Sequence, residues 1–158
     1  MLRKVYEKVL CLRLRFHSAL QLRHVCKGGN CNVFGKISII NPKRLKIGDD
    51  CSFNHGAYIN AFNPITFGND VTVSAGVKVI STGIDYQSWV AGKKRHTQSS
   101  GIKIGDHVWI GADAKILDGV SISGKFVVIA AGAVVTENIT EDFVAVGGCP
   151  AKIIKRYL

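Results

Sequence analysis

From Ile104 onward an aliphatic residue recurs at every sixth position, at Ile104, Ile110, Ile116 and Ile122, and then, after one additional residue, at Ile129 and Val135. Helices repeat their apolar face about every 3.6 residues and half-buried strands about every 2, so a sustained period of six belongs to neither. Gly105, Gly111, Leu117 and Ala130 directly follow the aliphatic residue. Hexapeptide periods belong to parallel β-helices, in which each repeat is one short strand plus a turn and buries its apolar side only by stacking on the next repeat. The pattern predicts an all-β chain wound into flat-sided coils.

The ladder extends upstream in a less regular register. Val33 and Ile39 begin it, and it resumes at Ile47, Phe53 and Ile59 beyond a turn at Asn41-Pro42. Asn63-Pro64 imposes a second shift, after which Phe67, Val73 and Val79 continue it. Cys51 and Ala57, each four places after a ladder residue, suit a tight interior corner. Three six-residue sides close a coil of about eighteen residues, so Val33 to Ile139 predicts roughly five coils. Ile84 to Gly101 interrupts the pattern with Gln87, Ser88, Gly92, Lys93, Lys94, Arg95, His96, Thr97, Gln98, Ser99 and Ser100. Structureless loops of this length inside a compact repeat are usually functional. The alternative is a tolerated insertion at a solenoid corner, with Lys93-Lys94-Arg95 as a solvated face. The pattern decays beyond Val135, and the tail 144–158 carries a turn at Gly147-Gly148-Cys149-Pro150 and the cations Lys152, Lys155 and Arg156.

Length and composition fit one domain: 158 residues, 47% of them hydrophobic, supply ample material for a core. The formal net charge of +10 is uneven, because Met1 to Lys27 carries Arg3, Lys4, Lys8, Arg13, Arg15, Arg23 and Lys27 against Glu7 alone. Apolar residues at Leu2, Val5, Val9, Leu12, Phe16 and Leu20 make this segment, 1–27, a short basic amphipathic helix ahead of a β-helix domain spanning 28–158. Its apolar runs are too short to span a bilayer, and Arg13 and Arg15 break the apolar core a signal peptide needs. The expected location is therefore cytoplasmic. The helix either touches the inner face of the membrane or packs on one end of its own β-helix. Five cysteines, odd in number and without a CxxC pair, read as small buried hydrophobes rather than a disulfide framework or a zinc site. Neither a metal nor a nucleic-acid partner is expected.

Ile104-Gly105-Asp106-His107-Val108-Trp109-Ile110-Gly111-Ala112, then Ile129-Ala130-Ala131-Gly132-Ala133-Val134-Val135-Thr136, then Gly148-Cys149-Pro150-Ala151-Lys152 resemble the left-handed β-helix hexapeptide acyltransferases. The similarity covers about Ile47 to Leu158. It is strongest to the branch containing maltose and galactoside O-acetyltransferases and the O-acetyltransferases of capsule and O-antigen assembly. The resemblance implies a left-handed winding, an exception to the usual right-handed crossover rule. It further implies a homotrimer, acetyl-CoA as acyl donor, and a carbohydrate acceptor bound in clefts between neighbouring coils. Carried over position by position, Ala112, Ala131 and Thr136 line the pantetheine groove, Lys152 and Lys155 approach the CoA phosphates, and Trp109 stands beside the transfer site. For the small residues the alternative is corner packing, and for Trp109 a core or interface role. Two departures matter. Where relatives carry Thr-x-x-His with His as general base, this chain has Ser81-Thr82-Gly83-Ile84. Where relatives commonly place Lys, it has Glu137, which would repel the phosphates.

Acetyl transfer to a hydroxyl needs a base for the attacking oxygen and a donor for the oxyanion, and histidine is the usual base at neutral pH. His17 and His24 fall in the basic N-terminal segment, and His107 reads as an outward-facing corner residue. His96, in the long loop directly before the coil bearing Trp109, is the first candidate; Lys94 and Arg95 beside it favour a neutral imidazole. An Arg-His pair at this point also resembles serine acetyltransferases. His55 is the second candidate. Asn54, Ile84 and Asp85 are candidate acceptor-binding positions. N-acetylation of an aminosugar is a close variant of the same reading. A γ-carbonic-anhydrase-like zinc hydratase needs converging histidines, typically two five positions apart, and the chain has no HxxxxH. A non-catalytic β-helix scaffold is the remaining alternative.

Overall fold

The computed structural model describes Cys26 and residues 30–94 and 99–158. The amphipathic helix expected over 1–27, with His17 and His24, and the candidate base His96 lie outside the described residues, Cys26 excepted. The rest is the left-handed parallel β-helix the sixfold period predicts. The first coil comprises β1 (Asn32–Phe34), β2 (Ser38–Ile40) and β3 (Leu45–Ile47), with a 3-10 turn at Pro42–Arg44 between the last two. The second comprises β4 (Ser52–Asn54), β5 (Tyr58–Asn60) and β6 (Ile65–Phe67). In the third, β7 (Thr72–Val73) and β8 (Lys78–Ile80) precede the long loop, and β9 (Ile102–Ile104) follows it. The fourth is β10 (Val108–Ile110), β11 (Lys115–Ile116) and β12 (Ser121–Ile122); the fifth is β13 (Val127–Ile129), β14 (Val134–Val135) and a bridge from Ile139 to Ile122. β15 (Val144–Gly148) opens a sixth turn and doubles back into β16 (Ala151–Arg156), the one antiparallel partner among the described strands.

Like strands of successive coils pair in parallel, giving three sheets in the orders β1-β4-β7-β10-β13-β15-β16, β2-β5-β8-β11-β14 and β3-β6-β9-β12. The register explains the period of six. Val33 pairs with Phe53, Phe53 with Val73, Val73 with Ile110 and Ile110 with Ile129, so each ladder residue sits on the one before it. Ile104, Ile110, Ile116, Ile122, Ile129 and Val135 are all at most 2% exposed. The residue two places before each ladder position is buried as well, as Ile102, Val108, Ala114, Val120, Val127 and Ala133 show. Cys51 and Ala57, the small corner residues, belong to this second set. Phe53 and Phe67 meet edge-to-face at 5.5 Å in the interior.

The register also locates the irregularities. The first two coils run twenty residues rather than eighteen, because Asn41-Pro42 and Asn63-Pro64 each enlarge one corner. Glycine after a ladder residue answers a close backbone approach: a Cβ on Gly111 would stand 2.6 Å from the Ala131 nitrogen and 2.7 Å from the Ile129 oxygen. The long loop is not structureless as expected. It opens with α1 (Tyr86–Val90), capped by Asp85, whose carboxylate accepts from the Ser88 amide at 3.0 Å. The hydrogen bonds from Ser88 hold the Asp85 carboxyl below its ordinary range.

Burial accounts for the cysteines. Cys51 is fully enclosed and desolvation pushes its thiol up to about 12, whereas Cys149 is exposed on the β15–β16 turn. Native protein should therefore label with a maleimide at Cys149 and not at Cys51 until it is unfolded, as peptide mapping would show. Ile110→Ala should lower the free energy of unfolding by about 2–5 kcal/mol in urea melts. Lys103→Ala, on an outward position, should leave it within roughly 0.5 kcal/mol of wild type.

Candidate active site

Two corners of the helix gather the residues nominated from the sequence. The first joins β4 to β5, and its equivalents below. There the coils repeat a tight turn with positive φ at Gly56, Gly76, Asp113 and Gly132. The turns are bonded coil to coil, Gly76 N–H to His55 O at 3.0 Å, Asp113 N–H to Ala75 O at 2.9 Å and Gly132 N–H to Ala112 O at 2.8 Å. His55, Ala75, Ala112 and Ala131 thereby form one column along the edge of the helix. With rungs about 4.8 Å apart, the exposed His55 stands roughly 10 Å from Ala112, across a strip whose side chains are single methyls.

Trp109 adjoins this column. It occupies the outward position of β10, between Thr72 and Val128, is 56% exposed, and donates from Nε1 to Ser74 Oγ at 3.1 Å. A core role for Trp109 is thus excluded. Asn54 is half-buried and spends its amide on the Val73 carbonyl at 3.1 Å, leaving its side-chain oxygen to a ligand or solvent.

The second corner lies beyond β8, β11 and β14, where Ser81, Asp118, Glu137 and the root of the long loop meet. Ser81, fully buried, accepts from the Asn63 backbone N–H at 3.0 Å, and its single hydroxyl proton is shared between the Asn63 carbonyl at 2.6 Å and the Asn60 carbonyl at 2.9 Å. Asp118 accepts from Ser99 Oγ at 2.5 Å and from Asn63 Nδ2 at 3.4 Å, and Ser99 Oγ in turn accepts from Gly101 N. Gly101 has positive φ, and a Cβ there would collide with the Pro64 carbonyl. The returning strand of the loop is therefore stapled across three coils. Sequence reasoning missed Asp118, because nothing local in Leu117-Asp118-Gly119 distinguishes it from an ordinary turn acid. Ile84 is 64% exposed, and beside it Thr82 Oγ1 is buried with no hydrogen-bond partner in the structure.

The nominated cations are engaged otherwise than the resemblance implied. Lys152 Nζ lies 2.7 Å from both carboxylate oxygens of Glu137, so the acid that would repel an anion is neutralised by the base expected to attract one. Lys155 Nζ sits 4.7 Å above the Tyr157 ring, and Arg156 pairs with Glu141 at 2.5 Å. Thr136 is exposed where β14 enters this second corner, away from the Ala112–Ala131 column. No His, Cys, Asp and Glu side chains among the described residues are grouped so as to hold a metal.

The family model described as "Hexapeptide repeat of succinyl-transferase" matches residues 44–81 and 101–137. A Saccharomyces cerevisiae protein provisionally named an acetyltransferase, YJL218W, is 37% identical over 114 residues, covering 71% of this chain and 56% of its own. Escherichia coli WbbJ, provisionally named a lipopolysaccharide biosynthesis O-acetyl transferase, is 32% identical over 119 residues, covering 69% of this chain and 59% of its own. The chain thus spans less than two thirds of the length of either relative. Among solved structures, the hexapeptide-repeat acetyltransferase VCA0836 of Vibrio cholerae, complexed with acetyl coenzyme A, superposes with a TM-score of 0.74 at 28% identity, over 89% of this chain and 75% of that one.

The Asp118 staple is testable without any substrate. Asp118→Ala should speed tryptic cleavage after Lys93 and Lys94 several-fold and reduce amide protection at Gly101, while the sixfold core stays protected in hydrogen exchange.

Proposed function

Because the chain belongs to the hexapeptide-repeat acetyltransferase family, we propose that it transfers the acetyl group of acetyl-CoA to a sugar hydroxyl of a cell-surface polysaccharide or its precursor. The observation that carries this reading is the column His55–Ala75–Ala112–Ala131 beside the exposed Trp109. Three successive methyl side chains leave an open track along the corner, a surface suited to a thin thioester arm, with a broad aromatic face at its side. In this reading the functional unit is a trimer, whose neighbouring copies complete the cleft. It works in the cytoplasm, with the basic N-terminal segment against an anionic membrane face.

The chemistry asks little of the protein beyond placement. The acceptor hydroxyl attacks the thioester carbonyl as its proton passes to a neutral imidazole. The tetrahedral oxyanion is held by backbone N–H groups at the corner, and it collapses with departure of the CoA thiolate, which takes up the proton. His96 is the proposed base, in the loop whose return is fixed by Asp118. His55 is favoured as the second candidate by its place in the column, and Asn54 by its free side-chain oxygen as an acceptor contact. Ile84 and Asp85 contribute through the start of the loop rather than as proton carriers, since Asp85 caps α1. Lys152 and Lys155 provide charge for the CoA phosphates once Glu137 and Tyr157 release them.

Thiol release from acetyl-CoA, followed with a panel of neutral sugars and aminosugars, tests the reading. Wild type should release thiol only with an acceptor present. His96→Ala should lower kcat by roughly 10²–10⁴ with little change in acetyl-CoA KM, and His55→Ala should do so if the second candidate is the base. Full activity in both variants would remove both assignments. Preference for glucosamine over glucose would move the reading to N-acetylation.

A further inference from the structure

The third repeated corner, between the third and first sheets, carries side chains that the transfer chemistry does not use. Its turn residue has positive φ in five successive coils, yet none is glycine: Asp50, Asp70, His107, Phe126 and Phe143 hold φ between 52° and 56°. Asp adopts this conformation more readily than most residues, and the three ring-bearing members of the column stack on one another. His107 lies flat on Phe126 at 4.6 Å and 3°, and Phe126 on Phe143 at 5.1 Å and 8°. Asp70 Oδ2 fixes the histidine from the other side, 2.8 Å from Nδ1.

The result is a rigid wall facing Trp109 across a groove lined by Asp70, Thr72, His107, Trp109, Phe126 and Val128. The groove combines an apolar floor with polar groups that all remain open to solvent. Phe126 is 49% and Trp109 56% exposed, and the side chains of His107 and Asp70 are 40% and 62% exposed. Thr72 accepts from Ser52 at 3.2 Å and keeps its own hydroxyl proton. Its charge selects the occupant. Asp70 places a carboxylate in the lining, held against His107, so a phosphate-bearing ligand would meet an anion there, and an apolar protein face would have to desolvate the exposed His107–Asp70 pair. A neutral pyranose satisfies each group, laying its C–H face on the indole and giving hydroxyls to Asp70 and Thr72.

We propose that this groove is a saccharide-binding subsite, which takes a neutral sugar ring of the acceptor next to the one that is acetylated. Trp109 stands between the two: His107 precedes β10 on the groove side, and Ala112 follows it on the column side. An acceptor that fills both is an oligosaccharide or a polymer rather than a single sugar. The inference rests on the reading of a sugar acceptor, but its test is one of binding and needs no turnover.

Full-length Trp89→Phe protein, in which Trp109 is the remaining tryptophan, is titrated with maltooligosaccharides and β-1,4-galacto-oligosaccharides of one to six units, without acetyl-CoA. The expected result is a saturable change in Trp109 fluorescence that tightens with chain length in at least one series. Asp70→Asn should weaken it roughly ten- to hundredfold. Thr72→Val, which keeps the shape of the side chain, should weaken it as well, and serves should Asp70→Asn fail to fold. In turnover, Asp70→Asn should raise the KM of the longest acceptor while the KM of acetyl-CoA stays constant. Absence of binding in both series, binding indifferent to both substitutions, or displacement of the sugar by acetyl-CoA would each overturn the proposal. Binding without thiol release would leave the subsite standing and remove the transferase reading. Thiol release unaffected by the two substitutions would do the reverse.

Discussion

The vertical stacking of identical positions in successive coils is the constraint on which everything else depends. No single coil buries its aliphatics; Ile110 is enclosed only because Val73 and Ile129 lie above and below it, with backbone bonds such as Ser74 N–H to Ile110 O and Gly111 N–H to Ile129 O closing the ladder. Stacking fixes more than stability. A residue placed at a corner in one coil has a counterpart about 4.8 Å away in the next, so function is built as columns rather than as isolated side chains. Each of the three corners uses the same device for a different purpose. The first is a strip of methyl groups, the second a polar staple across Asn63, Ser81 and Asp118, and the third a wall of stacked rings.

The fold was legible because its signal is periodic and redundant. Every ladder residue from Ile47 to Val135 is buried, and even the breaks at Asn41-Pro42 and Asn63-Pro64 appear as enlarged corners. The site was legible only in part. Ala112 and Ala131 could be nominated from their motifs, but that His55 shares their column depends on a register between coils that no local stretch of sequence states. Asp118 gave no signal, because it acts on Ser99 and Asn63, distant in sequence and adjacent only after winding. His107 read correctly as an outward corner residue, yet its pairing with Asp70 and its stack on Phe126 come from residues thirty-seven and nineteen positions away.

Charge was the least predictable element. Glu137 and Lys152 look from the sequence like an acid that repels a ligand and a base that attracts it, but the β15–β16 turn brings them together as a pair. An exposed pair of this kind contributes little to stability, so it can open when a stronger anion arrives. The surfaces on either side of Trp109 then differ in character: cations of the tail stand near one end of the molecule, and a carboxylate dominates the groove on the other side. In the proposed function, that division separates a phosphate-bearing donor from a neutral acceptor on a scaffold only a few residues wide per side.

In the proposed function, the methyl column at the first corner is the track for the acyl donor. Calorimetric titration of acetyl-CoA into wild type and into Ala112→Leu tests it directly, since leucine fills the track without touching the buried ladder. Saturable binding to wild type and at least tenfold weaker binding to Ala112→Leu, at an unchanged melting temperature, are expected. Equal affinity of the two proteins would contradict it.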